Sequence, residues 1–400
     1  MGNKKQERWQ KFRHRVVRNI AYAVLYPYAR LRYGITIEKF KEQEKRPYLI
    51  LLNHQTPFDQ FFVGMAFKGP VYYLATEDIF SMGWLSSLIR WAVAPIPIKK
   101  QTTDIAAVKT CIRVVREGGT LCIAPEGNRT YSGRTEYMNP SIASLAKKLN
   151  LPIALYRIEG GYGAEPRWSD CIRKGKMRGY VSQVLNPEDY ATMSNDELFN
   201  EIEKGLFVDE AVADGTFTSK HRAEYLERAV YVCPFCGLST FESHGDTVTC
   251  QTCGKSVVYG EDKTLTGVGF EFPFPFMAQW YDYQKEFINA LDITQYYDTV
   301  LYRDTATVYE VLVYKKKKEL YTDAAIVLYG DRLIINDEVF SFAELSAVTV
   351  LGRNKLNIYR DDRVYQLKGG KRFNALKYVH FFHRWKNVSK GDSRVKFLGL

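Results

Sequence analysis

Asn53-His54-Gln55-Thr56-Pro57-Phe58-Asp59 follows directly on the wholly apolar run 48–52. A short apolar run that stops at polar residues predicts a buried strand. Thr56 then fits an N-cap, Pro57 the first helical residue and Asp59 the third. His54 falls just outside the helix start, and one turn brings the Asp59 carboxylate back towards it. A carboxylate in that place accepts a proton from the ring, fixes its tautomer and stabilises the imidazolium. The other ring nitrogen is then free to take a proton from a hydroxyl. Acids are common in first helical turns, so this pair alone leaves a mere capping acid beside a loop histidine equally open.

A second stretch decides between the two. Pro125-Glu126-Gly127-Asn128-Arg129-Thr130 ends the run 119–124, which also predicts a strand. The turn continues through Ser132-Gly133-Arg134 and carries Glu126, Arg129 and Arg134. Arginine presents a planar fork of donors that matches phosphate. Alone, this is an ordinary surface loop. Two such polar stretches, each at the exit of a strand, form a more specific pattern.

Together they resemble the glycerolipid acyltransferase family typified by lysophosphatidic acid acyltransferases. The family pattern is His-x4-Asp followed by Pro-Glu-Gly-x-Arg-[Ser/Thr]; here these are His54/Asp59 and residues 125–130. Between them the family has a strand with proline, an apolar residue and a basic one, matched by residues 95–100 with Lys100 where arginine is usual. The proline-containing strand that follows is matched at 151–154, with Leu155 where a second proline is common. The likeness covers residues 45 to about 160. It implies that His54 is the general base, that Asp59 orients it, and that Glu126, Gly127, Arg129 and Lys100 form the acceptor's phosphate site. Glu126 cannot itself attract a phosphate, so it is expected to position Arg129 or a hydroxyl. No catalytic metal is implied.

Outward from this region, apolar runs alternate with helical patterns. Strands are expected near 48–53, 71–75, 93–98, 119–124, 152–158 and 178–185, with helices at 104–117 and 139–149 and a helical stretch from 195 to about 229. That is an α/β layout around a central sheet, and polar residues at strand exits fit the usual placement of sites in such sheets. Residues 79–98 predict a helix and then a strand, punctuated by Gly83 and Pro95. That stretch lines an acyl-chain site, touches a bilayer, or is plain core.

The chain has 400 residues, 46% hydrophobic and 25% charged, which suits two or three globular domains. Its net charge of +11 is uneven: residues 1–50 hold 13 Lys/Arg and 4 Asp/Glu, a surplus of 13 − 4 = 9. There Trp9, Phe12, Val16, Ile20, Ala23 and Val24 recur at helical spacing, flanked by Lys4, Lys5, Arg8, Lys11, Arg15 and Arg18. The longest uncharged stretch, 19–29, is interrupted by Pro27 and is too short to span a bilayer. A helix lying in the interface of an anionic membrane fits it, and a basic helix docked on its own domain is the alternative. The apolar face favours lipid, so no nucleic-acid partner is expected. No secretory signal is expected, because the apolar stretch lacks a small-residue cleavage site, and no myristoylation site, since position 6 is glutamine.

Beyond residue 229 the pattern changes. Cys233-Pro234-Phe235-Cys236 and Cys250-Gln251-Thr252-Cys253 are two Cys-x2-Cys knuckles, each followed by glycine. Four thiolates on two tight turns predict a tetrahedral structural zinc site in a zinc ribbon. Disulfides are disfavoured inside a cell, and a redox pair needs no second copy. Cys111, Cys122 and Cys171 fall in no motif. Phe270, Phe272, Phe274 and Phe276 alternate in the next stretch and fit packing, and 280–291 predicts a helix. Strands are expected at 307–314, 324–329, 332–335, 348–351, 355–359 and 363–367, then a helix at 373–386. Several strands closed by one helix resemble a pleckstrin-homology-type barrel. Residues 315–318, all lysine, fall in its first hairpin, and His380 and His383 on its helix fit packing or surface roles.

The expected organisation is a basic membrane-binding segment (1–44), an α/β acyltransferase domain (45–229), a zinc ribbon (230–258), an aromatic and helical linker (259–304) and a pleckstrin-homology-like β domain (305–390). The expected activity moves a fatty acyl group from acyl-coenzyme A or acyl carrier protein to a lysophospholipid hydroxyl. The first-choice conversion is 1-acylglycerol-3-phosphate to phosphatidic acid. Glycerol-3-phosphate or another polar acceptor, and a catalytically inactive lipid-binding scaffold, are the alternatives. The expected location is the cytoplasmic face of the cell membrane, peripheral or monotopic.

Overall fold

The computed structural model describes residues 8–43, 47–98, 104–312 and 315–391. The chain divides into two compact units. The first holds residues up to Thr130, Arg134–Ala164 and Lys174–Glu210; the second holds Tyr131–Gly133, Glu165–Arg173 and the chain from Ala211 onward.

The first unit is built on seven strands: β1 (Ile35–Ile37), β2 (Leu49–Leu52), β3 (Val71–Thr76), β4 (Ile96–Ile98), β5 (Thr120–Ile123), β6 (Ile153–Glu159) and β7 (Met177–Leu185). They form one sheet in the order β1-β7-β6-β2-β5-β3-β4. β2 lies at its centre, parallel to β5 and β6, and all four of its residues are buried. β7 runs antiparallel to β6. Every strand expected from the sequence is present; β1 was not expected. The helices are α1 (Phe12–Tyr33), α2 (Asp59–Ala66), α3 (Trp84–Val93), α4 (Ile105–Arg116), α5 (Ser141–Leu149), the short α6 (Gly161–Ala164) and α7 (Pro187–Tyr190), and α8 (Asn195–Leu206). The connections through α4 and α5 bury Cys111, Val114, Ile142 and Ala146 against Leu49, Leu51 and Leu121. This core fixes where the β2 and β5 exits lie.

Two helices depart from expectation. Residues 195–229 are not one helix: α8 ends at Leu206, where Phe207 turns extended (φ −61°, ψ 129°). The chain beyond it spends its backbone on other segments instead of on its own next turn. α1 is not interrupted at Pro27 but runs through it. His14, Ala29 and Tyr33 are its buried residues, while Phe12, Ile20, Val24 and Leu31 are exposed, at 81% and 89% for the first and last.

The second unit begins with a two-stranded ribbon, β8 (Val232–Cys233) and β9 (Gly237–Leu238). A four-stranded antiparallel sheet follows: β10 (Phe241–His244), β11 (Thr247–Cys250), β12 (Ser256–Tyr259) and β13 (Leu265–Gly267). The Cys-x2-Cys knuckles sit at the β8–β9 and β11–β12 turns. After α9 (Met277–Ala290) come β14 (Tyr302–Glu310), β15 (Lys318–Leu328), β16 (Arg332–Ile335), β17 (Glu338–Ser341), β18 (Leu345–Leu351), β19 (Lys355–Arg360) and β20 (Arg363–Gly369). These seven form an antiparallel sheet ordered β17-β16-β15-β14-β20-β19-β18, with α10 (Leu376–Ser389) packed on β18. The first strand lies at 302–310, not 307–314, and β17 was not expected. Lysines 315–317 fall between β14 and β15 and Lys318 opens β15; Val313 and Tyr314 lie outside the described residues.

The phenylalanines at 270, 272 and 274 are packing, since Phe272 stands edge-on to Trp280 at 5.0 Å. His380 is buried between two hydroxyls, Tyr231 at 2.6 Å and Tyr281 at 3.4 Å. Burial holds its ring well below the usual imidazole range. Residues 165–173 carry buried side chains into this unit. Arg167 donates from Nε to the Gly352 carbonyl (3.0 Å) and from Nη2 to that of Val350 (3.2 Å). Its guanidinium lies 4.5 Å from the Tyr131 ring centroid. Trp168 is fully buried beside Tyr259, and Arg228 grips Asp170 through two bonds of 2.9 Å.

Candidate active site

The registers Leu51↔Ile123 and Leu52↔Tyr156 bring the exits of β2, β5 and β6 side by side. Asn53 is the first residue after β2. Its carboxamide closes a two-way clamp on Ile158, donating to the carbonyl and accepting from the N–H, both at 2.8 Å. That fixes where the chain leaves the strand. No role was assigned to Asn53 from the sequence; a carboxamide can satisfy both backbone groups of one residue, but nothing in the pattern says which residue.

His54 and Asp59 meet. Imidazole Nδ1 lies 2.8 Å from Asp59 Oδ2, with His54 26% exposed and Asp59 buried. Asp59 Oδ2 also accepts from the Gln55 N–H at 2.7 Å, and Oδ1 from the Thr56 N–H at 2.9 Å and the Thr56 hydroxyl at 2.7 Å. A carboxylate so held cannot rotate away from the ring. Nδ1 therefore donates, and Nε2 is left as the basic nitrogen. The local helix differs from expectation. α2 starts at Asp59 with Phe58 as its cap residue, so Asp59 is the first helical residue and Thr56 is not the N-cap. The Thr56 hydroxyl gives its proton to Asp59 and accepts from the Phe58 N–H at 3.1 Å. Those bonds fold 56–58 into a turn before the helix.

Glu126 leaves β5 beside them. Its Oε1 accepts from the His54 N–H at 2.8 Å and its Oε2 from the Glu136 N–H at 3.4 Å. These are backbone contacts, where a hold on Arg129 or on a hydroxyl was expected. Burial pushes the carboxyl up to about 8, against the pull of the two N–H groups. Gly127 takes a positive φ of 68°, in the left-handed region that a side chain disfavours. Arg129 is buried in the same turn. Arg134 is engaged elsewhere: its Nε binds Asp209 Oδ2 at 2.9 Å. Lys100 lies outside the described residues.

In the second unit, Cys233, Cys236, Cys250 and Cys253 form a cluster whose Sγ atoms all lie within 4.8 Å of one another. Cys233 to Cys253 is 3.7 Å and Cys236 to Cys250 is 3.6 Å. These are too long for a disulfide. They fit a tetrahedron with metal–sulfur bonds of about 2.3 Å, whose edge is roughly 3.8 Å. The donor set is thus one that suits a four-thiolate metal.

Residues 34–157 match the family model described as Acyltransferase. A 1-acyl-sn-glycerol-3-phosphate acyltransferase of Bacillus subtilis (strain 168) is 21% identical over 127 residues, covering 32% of this chain and 60% of its own length. The chloroplastic 1-acyl-sn-glycerol-3-phosphate acyltransferase BAT2 of Brassica napus is 22% identical over 208 residues, 49% of this chain and 57% of its own. The chain thus spans somewhat less than two thirds of these relatives. The crystal structure of the 1-acyl-sn-glycerophosphate acyltransferase PlsC from Thermotoga maritima shares 18% identity at a TM-score of 0.39, covering 48% of this chain and 75% of that one. Residues 34–157, which lie in the first unit apart from 131–133, are thus similar to an acyltransferase domain. Both sequence motifs, at His54/Asp59 and at 125–130, fall inside the matched stretch.

Proposed function

We propose that the protein transfers a fatty acyl group from a thioester, of coenzyme A or acyl carrier protein, to the free hydroxyl of a lysophospholipid, with 1-acylglycerol-3-phosphate as acceptor and phosphatidic acid as product. The observation that carries this is the 2.8 Å bond between His54 Nδ1 and the buried Asp59 at the exit of the central strand. His54 Nε2 takes the proton of the acceptor hydroxyl as its oxygen attacks the thioester carbonyl. Asp59 stabilises the imidazolium that forms. The carbon–sulfur bond then breaks, and the leaving thiolate takes the proton from the imidazolium. No covalent acyl-enzyme is needed. Gly127 and Arg129, with Lys100, hold the acceptor's phosphate, and Glu126 holds the backbone of His54. The oriented base favours an enzyme over an inactive scaffold.

We place the protein on an anionic membrane surface, at its cytoplasmic face. Among the described residues no helix is long and apolar enough to cross a membrane. The exposed stripe of α1 and the exposed Trp84 and Trp91 of α3 supply an interfacial face instead. Arg13 donates to the Trp91 carbonyl at 2.8 Å, which ties the two helices together. The four cysteines hold a structural zinc in a zinc ribbon, and its binding energy serves folding. The strand order β17-β16-β15-β14-β20-β19-β18 with a C-terminal helix supports the pleckstrin-homology-like reading. Product analysis by mass spectrometry tests the activity, using purified protein, an acyl-coenzyme A and a panel of lysophospholipids and glycerol-3-phosphate. Phosphatidic acid formed from 1-acylglycerol-3-phosphate is the expected result. Transfer to glycerol-3-phosphate alone would replace the acceptor; no transfer at all would overturn the reading.

A further inference from the structure

Residues 207–210 follow α8 and fall some fifty positions beyond the matched stretch 34–157. They are tied on two sides. On one, the Thr135 N–H donates to the Val208 carbonyl and the Val208 N–H donates to the Thr135 hydroxyl, both at 2.9 Å. Arg134 pairs with Asp209 through its backbone bridge and through the 2.9 Å ion pair. On the other, the Gly160 N–H donates to Glu210 Oε2 at 2.6 Å, and Arg157 Nη2 donates to the Phe207 carbonyl at 2.9 Å.

Each side ends next to the reacting histidine. Glu136 follows Thr135, and its N–H reaches Glu126, whose other oxygen holds the His54 N–H. Ile158 follows Arg157 and is the residue clamped by Asn53, which precedes His54. The Glu136–Glu126 bond is long at 3.4 Å, and bonds of that length are weak. The loop from 126 to 136 contains Gly127 and Gly133, both at positive φ. Such a loop needs its far end fixed for that bond to persist.

We propose that residues 207–210 are a positioning brace for the His54 site, acting through Thr135 on Glu126 and through Glu126 on the His54 backbone. Thr135 and Asp209 touch no reacting atom; they set where the base stands. The proposal rests on the acyl-transfer reading above.

The test uses the full chain with an acyl-coenzyme A and 1-acylglycerol-3-phosphate in mixed micelles. Thr135→Val removes the hydroxyl and keeps the shape, whereas Thr135→Ser keeps the hydroxyl. The valine variant should lower kcat by roughly tenfold, about one hydrogen bond's worth, with donor KM within about twofold of wild type. The serine variant should restore kcat. Asp209→Asn, the milder change, should lower kcat in the same direction. Glu126→Gln combined with Thr135→Val should be no slower than the slower single variant, because both act through one contact. Unchanged kcat in Thr135→Val and Asp209→Asn would overturn the brace. So would multiplicative effects in the double variant, or losses of kcat that follow the melting temperature across the series. Absence of turnover by wild type is a different result, which removes the functional reading itself.

Discussion

His54 and Glu126 occupy adjacent strand exits and answer to different experiments. Replacing His54 by alanine should lower kcat by about 100- to 10,000-fold, the usual worth of a general base, with the melting temperature unchanged because the ring is partly exposed. Near-normal turnover by the purified variant would remove the base assignment. Glu126 makes a prediction about pH. Burial raises its carboxyl from 4.5 to about 8 in the folded protein. Between those values the folded chain keeps a proton that the unfolded chain has lost. The stability this contributes is complete below the unfolded value and disappears as pH rises through about 8. Glu126→Gln should therefore gain melting temperature relative to wild type on going from pH 5 to pH 9, by an effect on the order of a few kcal/mol. A constant difference across that range would mean that the carboxyl titrates normally. The His54/Asp59 pair became legible only beside the second polar strand exit at 125–130, because its spacing alone fits a capping acid equally well. The sequence could not show that Glu126 holds backbone, or that Arg134 is consumed by Asp209. Both partners of those contacts are set by tertiary register, not by local spacing.

At the scale of elements, α1 docks one face through His14, Ala29 and Tyr33 and leaves an apolar stripe exposed on another. Its exposed residues include Ile20 and Val24, one turn apart. Changing both to aspartate should weaken binding to anionic vesicles by on the order of tenfold per residue, since each apolar side chain is worth about 1.5–3 kcal/mol when buried. The melting temperature should not move. Vesicle sedimentation equal to wild type would shift the membrane contact to α3. The helical spacing of this stripe is legible in the order of its residues. Its continuation through Pro27 is not, because a proline forfeits one hydrogen bond and crowds the preceding turn, and an exposed helix in this chain bears that cost. β1 and β17 escaped for another reason. Three and four residues are too few for a period-two pattern to stand out, and both are edge strands that tertiary pairing selects. The end of α8 at Leu206 was hidden by residues beyond it that carry fair helical propensity but bond to 134–135 instead.

Across the whole molecule, the cysteine cluster was the feature most plainly written in the sequence, because two Cys-x2-Cys turns leave few other uses for four thiols. Stripping metal with a chelator should release about one zinc per chain and unfold residues 230–258, detected as lost amide protection there. Protection that survives metal removal would show that the strands hold without it. The grouping of 131–133 and 165–173 with the far end of the chain could not be foreseen, since it depends on contacts such as that of Arg167 with Gly352 across 185 positions. That separation has a consequence for the newborn protein. A ribosome adding about 5–20 residues each second delivers residue 352 roughly ten to forty seconds after residue 167. Throughout that interval Arg167 has no carbonyl at 350 or 352 to bind, and until residue 259 is made Trp168 lacks the Tyr259 ring beside it. Arrested nascent chains that stop short of residue 350 should be cleaved within 165–173 by a mild protease, while chains released at full length resist. Half-made, the polypeptide carries an open seam that only its last quarter can close, so its vulnerability is timed by translation.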